Sequence, residues 1–186
     1  MQAAQPAGCA DDMKTVPVKT YYLEMRAPPA CLTAAPRNDL AVVRRVEPQA
    51  GWYRSLYRAV GGPWRWYDRA QMPDEQLAPL IQHPAVEIYV LLSAQAEAGF
   101  AELDCRQQGE IELLYFGLVP ACTGQRLGSY FLQRVLQLAW SHQPRRVWLH
   151  TCEWDHPAAV ALYRKAGFVP YAEGWVDQVV PDDYAG

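Results

Sequence analysis

The segment Thr123–Gly124–Gln125–Arg126–Leu127–Gly128–Ser129 has residues suited to holding a phosphate. Its glycines permit close backbone approach. A helix that starts here leaves its first N–H groups without intrahelical acceptors, and the helix dipole favours an anion beside them. Arg126 or Gln125 would add side-chain contacts. The loop is not a Walker motif, because it lacks Gly-Lys-Ser/Thr, and no Gly-x-Gly-x-x-Gly opens a βαβ unit. An ordinary strand-to-helix turn is the competing reading. Acid–base chemistry has three candidates. Glu110 and Glu112 lie two apart, so on a strand they share a face. His150 alternates with Leu149 and titrates near neutral pH. Each is equally readable as a solvated or salt-bridged strand residue. The run Trp64–Arg65–Trp66–Tyr67–Asp68–Arg69 could bound an organic substrate or hold a cation, with Asp68 attracting an amine. Its tryptophans could instead anchor a long connection against the core.

Composition narrows the setting. The chain has 186 residues, 51% apolar and 20% charged, with a formal charge of -3. That suits one folded domain and argues against wholesale disorder. The mild charge gives no general reason to expect nucleic-acid binding. No apolar run is long enough to suggest a membrane span. Met1–Ala10 lacks the basic flank and apolar stretch of a secretory signal. Five cysteines, at 9, 31, 105, 122 and 152, are odd in number and widely spaced, which does not suggest a disulfide framework or a zinc site. A reducing cytoplasm is the expected location, and Cys152 reads as an unreactive, half-buried strand residue.

The positioning elements follow from periodicity and punctuation. Residues 1–15 read as a polar tail, and 16–186 as one α/β domain. Strands are expected at Lys19–Met25 and Leu40–Val46, then a helix at Trp52–Val60 with Trp52, Leu56 and Val60 on one face. Gly61–Gly62–Pro63 ends it, and Pro73–Ile81 forms a short helix. Val86–Leu92, Ala98–Asp104 and Glu110–Leu118 read as an antiparallel meander. A helix is expected from about Gly124 or Arg126 to His142, with Leu127, Phe131, Val135 and Leu138 at helical spacing. Val147–Cys152 is a strand, and Pro157–Ala166 a helix stopped by Gly167. Two strands, Phe168–Tyr171 and Trp175–Val180, close the sheet.

Three segments carry a family resemblance. Thr123-x-x-Arg126-x-Gly128 resembles the Gln/Arg-x-x-Gly-x-Gly/Ala pyrophosphate loop of the GCN5-related N-acetyltransferases. Thr123 stands where that pattern has Gln or Arg, and Arg126 where it has its first glycine. Tyr115–Phe116–Gly117–Leu118–Val119–Pro120 is similar to the family's splayed strand. Trp154–Asp155–His156–Pro157–Ala158–Ala159–Val160–Ala161–Leu162–Tyr163–Arg164–Lys165–Ala166–Gly167–Phe168 looks like its Asn-x-x-Ala-x-x-x-Tyr-x-x-x-Gly-Phe segment, with His156 in place of Asn.

The resemblance implies a central mixed, mostly antiparallel sheet flanked by helices, and direct acetyl transfer from acetyl-CoA to a primary amine of a small molecule or peptide. It implies that Gly117, Leu118 and Val119 present backbone to the pantetheine arm, with N–H groups near Leu118 and Val119 supporting oxyanion charge. Residues 123–129 would hold the pyrophosphate. Tyr163 would protonate the departing thiolate, and Glu112, Glu110 or His150 would take the amine proton. His156 would cap or orient the Tyr163 helix. Trp64, Trp66, Tyr67, Asp68 and Arg69 would line the acceptor pocket. No metal, nucleic acid or membrane is expected, and a homodimer is compatible. A catalytically inactive acyl-CoA-binding regulator is the alternative.

Overall fold

In the computed structural model, which describes residues 13–30 and 34–181, seven strands form one sheet. In chain order they are β1 (Met13–Met25), β2 (Leu40–Arg45), β3 (Val86–Ser93), β4 (Ala96–Asp104), β5 (Glu110–Leu118), β6 (Arg146–Cys152) and β7 (Val169–Pro181). Their order across the sheet is β2-β3-β4-β5-β6-β1-β7. Every neighbouring pair is antiparallel except β5 and β6. This is the mixed, mostly antiparallel α/β architecture expected, and it contains the β3–β4–β5 meander.

One face of the sheet carries α1 (Ala50–Gly61) and α3 (Asp74–Ile81), joined through the short α2 (Asp68–Gln71). The buried stripe of α1 is Tyr53, Leu56, Tyr57 and Val60, a helical i, i+3, i+4, i+7 pattern. Trp52, expected on that stripe, stands at its flank and donates through Nε1 to Glu97 at 2.8 Å. A second core lies on α4 (Leu127–Ser141) and α5 (Ala159–Ala166), where Phe131, Leu132, Val135 and Leu136 pack with Leu23, Leu113 and Leu149. Gly167 ends α5 in the left-handed region, at φ 108°. Among the described residues, no helix is long and apolar enough to cross a membrane.

Two expectations change at the chain's ends. β1 begins at Met13 rather than Lys19, so residues 13–15 are strand; residues 1–12 lie outside the described residues, as do Cys9 and Cys31. Pro17 lies within that strand. It is accommodated because only Thr20–Met25 pair with β6, leaving that side of β1 open at Pro17. The two expected closing strands are one continuous β7, at the sheet edge. Its whole length pairs with β1, and a bulge at Tyr22/Leu23 absorbs the irregularity. Cys105, Cys122 and Cys152 are free thiols, each half-buried.

Candidate active site

The parallel strands β5 and β6 pair only where Glu110–Glu112 meet Arg146–Trp148. Past Glu112 they part, and β5 continues against β4 alone. A cleft of about 440 Å³ opens between them, lined by residues from Leu113 to Leu118 on β5 and by His150 and Cys152 on β6. Backbone at a parted strand edge has hydrogen-bonding groups to offer a ligand.

The start of α4 forms one end of this cleft. Thr123, Gly124, Arg126, Gly128 and Ser129 line it. No side chain caps the helix, so its first N–H groups face outward without a side-chain acceptor. Gly124 has φ 74°, and Arg126 has φ 63°. The loop therefore keeps its left-handed turn with an arginine where the resembling pattern has glycine, and the substitution adds a cation. Three side chains of this loop are engaged within the protein. Gln125 spends its amide on Ala121 O and Arg37, Leu127 is buried in the core, and the Thr123 hydroxyl donates to Pro120 O. Val119 is also unavailable as an oxyanion donor, because its N–H donates to Ala98 O at 2.9 Å.

Tyr163 lines the same cleft from α5, its ring set against Phe116 and Phe168. Burial, and then the nearby Asp155 carboxylate, hold its phenol well above the usual range, so it stays a protonated donor. His156 also lines the cleft. Its Nδ1 accepts the Ala158 N–H at 3.0 Å just ahead of α5, and its ring packs on Trp64 at 4.9 Å.

Where β5 and β6 part, His150 and Glu112 meet. A carboxylate only accepts, so in the 2.9 Å contact His150 Nδ1 donates to Glu112 Oε1, and in the neutral ring Nε2 is the unprotonated nitrogen. The Glu112 hydrogen bond raises the His150 pKa above its ordinary value, with Asp155 and Asp68 adding to it and burial opposing it. Glu110, the other carboxylate candidate, is not part of this pair. Arg146 bridges it at 2.7 Å to Glu24 at 3.0 Å.

Trp64, Trp66 and Asp68 line the cleft as expected, but Tyr67 and Arg69 do not. Arg69 turns inward to a buried ion pair with Glu102 at 3.0 Å, and Tyr53 donates to the same carboxylate at 2.6 Å. Removing either partner of such a pair typically costs about 3–5 kcal/mol, so its role is to hold the wall behind the site. Several lining residues had no assigned role in the sequence: Tyr57, Tyr115, Trp154 and Asp155. Asp155 accepts from the Thr151 hydroxyl at 2.7 Å, from Cys152 N–H at 3.0 Å and from Trp66 Nε1 at 3.1 Å. An aspartate three residues past the end of a strand was its only local signal, a common turn feature.

The comparisons agree with this geometry. A family model described as "Acetyltransferase (GNAT) family" matches residues 52–168, more than half of the chain. The comparison with curated proteins finds no match. Among solved structures, a GCN5-related N-acetyltransferase from Sphaerobacter thermophilus aligns with TM-score 0.66 at 16% identity, over 90% of this chain and 53% of that one. An aminoglycoside acetyltransferase from an uncultured soil metagenomic sample, in complex with sisomicin, aligns with TM-score 0.58 at 15% identity, over 70% of this chain and 88% of that one. A tandem GNAT protein from the clavulanic acid biosynthesis pathway aligns with TM-score 0.61 at 14% identity, over 91% and 55%. The chain thus spans about half the length of two of these structures. The matched segment contains the parted strands, the α4 loop and the Tyr163 helix, and the chain belongs to the acetyltransferase (GNAT) family.

Proposed function

We propose that the chain transfers the acetyl group of acetyl-CoA to a primary amine of a small molecule or peptide. The observation that carries this reading is the single cleft between β5 and β6. It joins an uncapped helix start with Arg126, the buried Tyr163 phenol, and His150 paired to Glu112. The residues present fit the donor. The first N–H groups of α4 and the Arg126 guanidinium suit a pyrophosphate, and the β5 backbone around Gly117 and Leu118 suits the pantetheine amides. When bound, acetyl-CoA supplies an activated thioester.

The chain's own groups then manage the protons. His150 Nε2 accepts a proton from the amine as the N–C bond forms, and Glu112 stabilises the resulting imidazolium. The Tyr163 hydroxyl donates a hydrogen bond to the sulfur, which takes the electron pair as thiolate when the C–S bond breaks. Holding the amine beside the thioester carbonyl within the cleft adds to the acceleration.

Calorimetry with acetyl-CoA, paired with thiol release across a panel of amines, tests the reading. Saturable binding and amine-dependent release are expected. Binding without release from any amine would support an inactive acyl-CoA-binding protein instead. Absence of binding at millimolar acetyl-CoA defeats both.

A further inference from the structure

The cleft is lined by the carboxylates Asp68 and Asp155 as well as by Arg65 and Arg126. An attacking amine must be neutral, and a carboxylate beside it would favour its ammonium form. Glu112 is accounted for, because it holds His150. Asp68 is not. It is exposed and lines the cleft. The Tyr115 hydroxyl donates to it at 2.8 Å, and the Tyr57 hydroxyl stands at a long 3.4 Å. These are neutral donors, which fix the carboxylate in place without cancelling its charge. Burial pushes both phenols up, so they stay donors at any working pH. Trp66 and Tyr115, with centroids 5.3 Å apart, stand beside it, and the fully buried Tyr57 backs them at 5.4 and 5.1 Å. A carboxylate fixed beside aromatic rings suits a cation. The neighbouring Arg69 is directed into the core at Glu102. Asp68 also stands on the β5 side, hydrogen-bonded to Tyr115, whereas the base is on β6.

On the basis of the amine-acetylation reading above, we propose that Asp68, beside the half-buried rings of Trp66 and Tyr115, is a subsite for a second, non-reacting ammonium, and that the acceptor is a dicationic amine. One nitrogen loses its proton to His150, while the other stays protonated at Asp68.

The test compares α,ω-diaminoalkanes with n-alkylamines of matching length, by calorimetry on the full chain with coenzyme A bound and by thiol release from acetyl-CoA. The diamine of best length should bind about tenfold or more tightly than its monoamine, the scale of one charged hydrogen bond with cation–π support. Asp68→Asn should bring that ratio toward one. Tyr115→Phe, which leaves the Asp68 charge in place, should retain a preference; melting curves verify folding of both variants. Equal affinities in the unaltered protein, an undiminished ratio in Asp68→Asn, or no binding of either amine overturns the subsite. Preferential diamine binding with no thiol release keeps the subsite and refutes the transfer reading. Turnover of monoamines with no diamine preference does the reverse.

Discussion

Replacing Tyr163 with Phe removes one hydroxyl and leaves the ring. The ring is buried and sits 6.3 Å from Phe116 and 6.1 Å from Phe168, so packing survives the change. The expected loss is therefore chemical rather than structural. A free thiol titrates near ~8.5, while burial keeps the Tyr163 phenol above its ordinary 10.0. Full proton transfer from phenol to a leaving thiolate is uphill, so the hydroxyl acts mainly as a hydrogen-bond donor to sulfur. A hydrogen bond to a charged group contributes about 1.5–3 kcal/mol. That places the expected drop in kcat at about 100-fold, or ~2.7 kcal/mol, the low end of general acid catalysis. Thiol release at saturating amine measures it. Acetyl-CoA affinity from calorimetry should change less than about twofold, because the lost contact forms only as sulfur charge develops. An unchanged kcat in folded protein refutes the assignment. An equal loss of affinity and rate points instead to a ground-state contact.

Two further changes probe other parts of the site. Glu112→Gln removes the largest influence raising the His150 pKa, so the limb on which kcat rises with pH should move to lower pH, while total activity falls. The same pair contributes stability that is fully present below the ordinary histidine value of 6.5 and fades as pH rises through the higher folded value. The variant should therefore lose stability mainly on the acid side, as urea titrations at several pH values will show; an unmoved kinetic limb removes His150 as the base. Gly117→Ala would place a Cβ 2.4 Å from Val60 Cγ1, forcing α1 off β5. Overpacking of this kind costs about 1–3 kcal/mol, and thermal melting should show partial recovery on adding Val60→Ala; purely additive losses would argue against the contact.

Much of the fold could be read locally. Strand alternation, glycine and proline punctuation, and the Leu127–Phe131–Val135 stripe placed the meander and α4 within a few residues, because each signal depends on near neighbours. The Tyr163-x-x-x-Gly167-Phe168 segment likewise placed the α5 tyrosine and the residue that ends its helix. Long-range pairing was not legible. β1 reaches back to Met13 only because β7 lies beside it, and nothing within Met13–Val18 names that partner.

The candidate site divides the same way. Sequence alone determined the kinds of groups available: a glycine-bearing loop before a helix, a phenol on α5, carboxylates and a histidine on strands, and aromatics after α1. Tertiary structure decided which of them act together. It joined His150 to Glu112 and gave Glu110 to Arg146, and it turned Arg69 inward while leaving Asp68 in the cleft. The reason is that a side chain's chemical type is local, whereas its partner is set by strand register and by the point where β5 leaves β6.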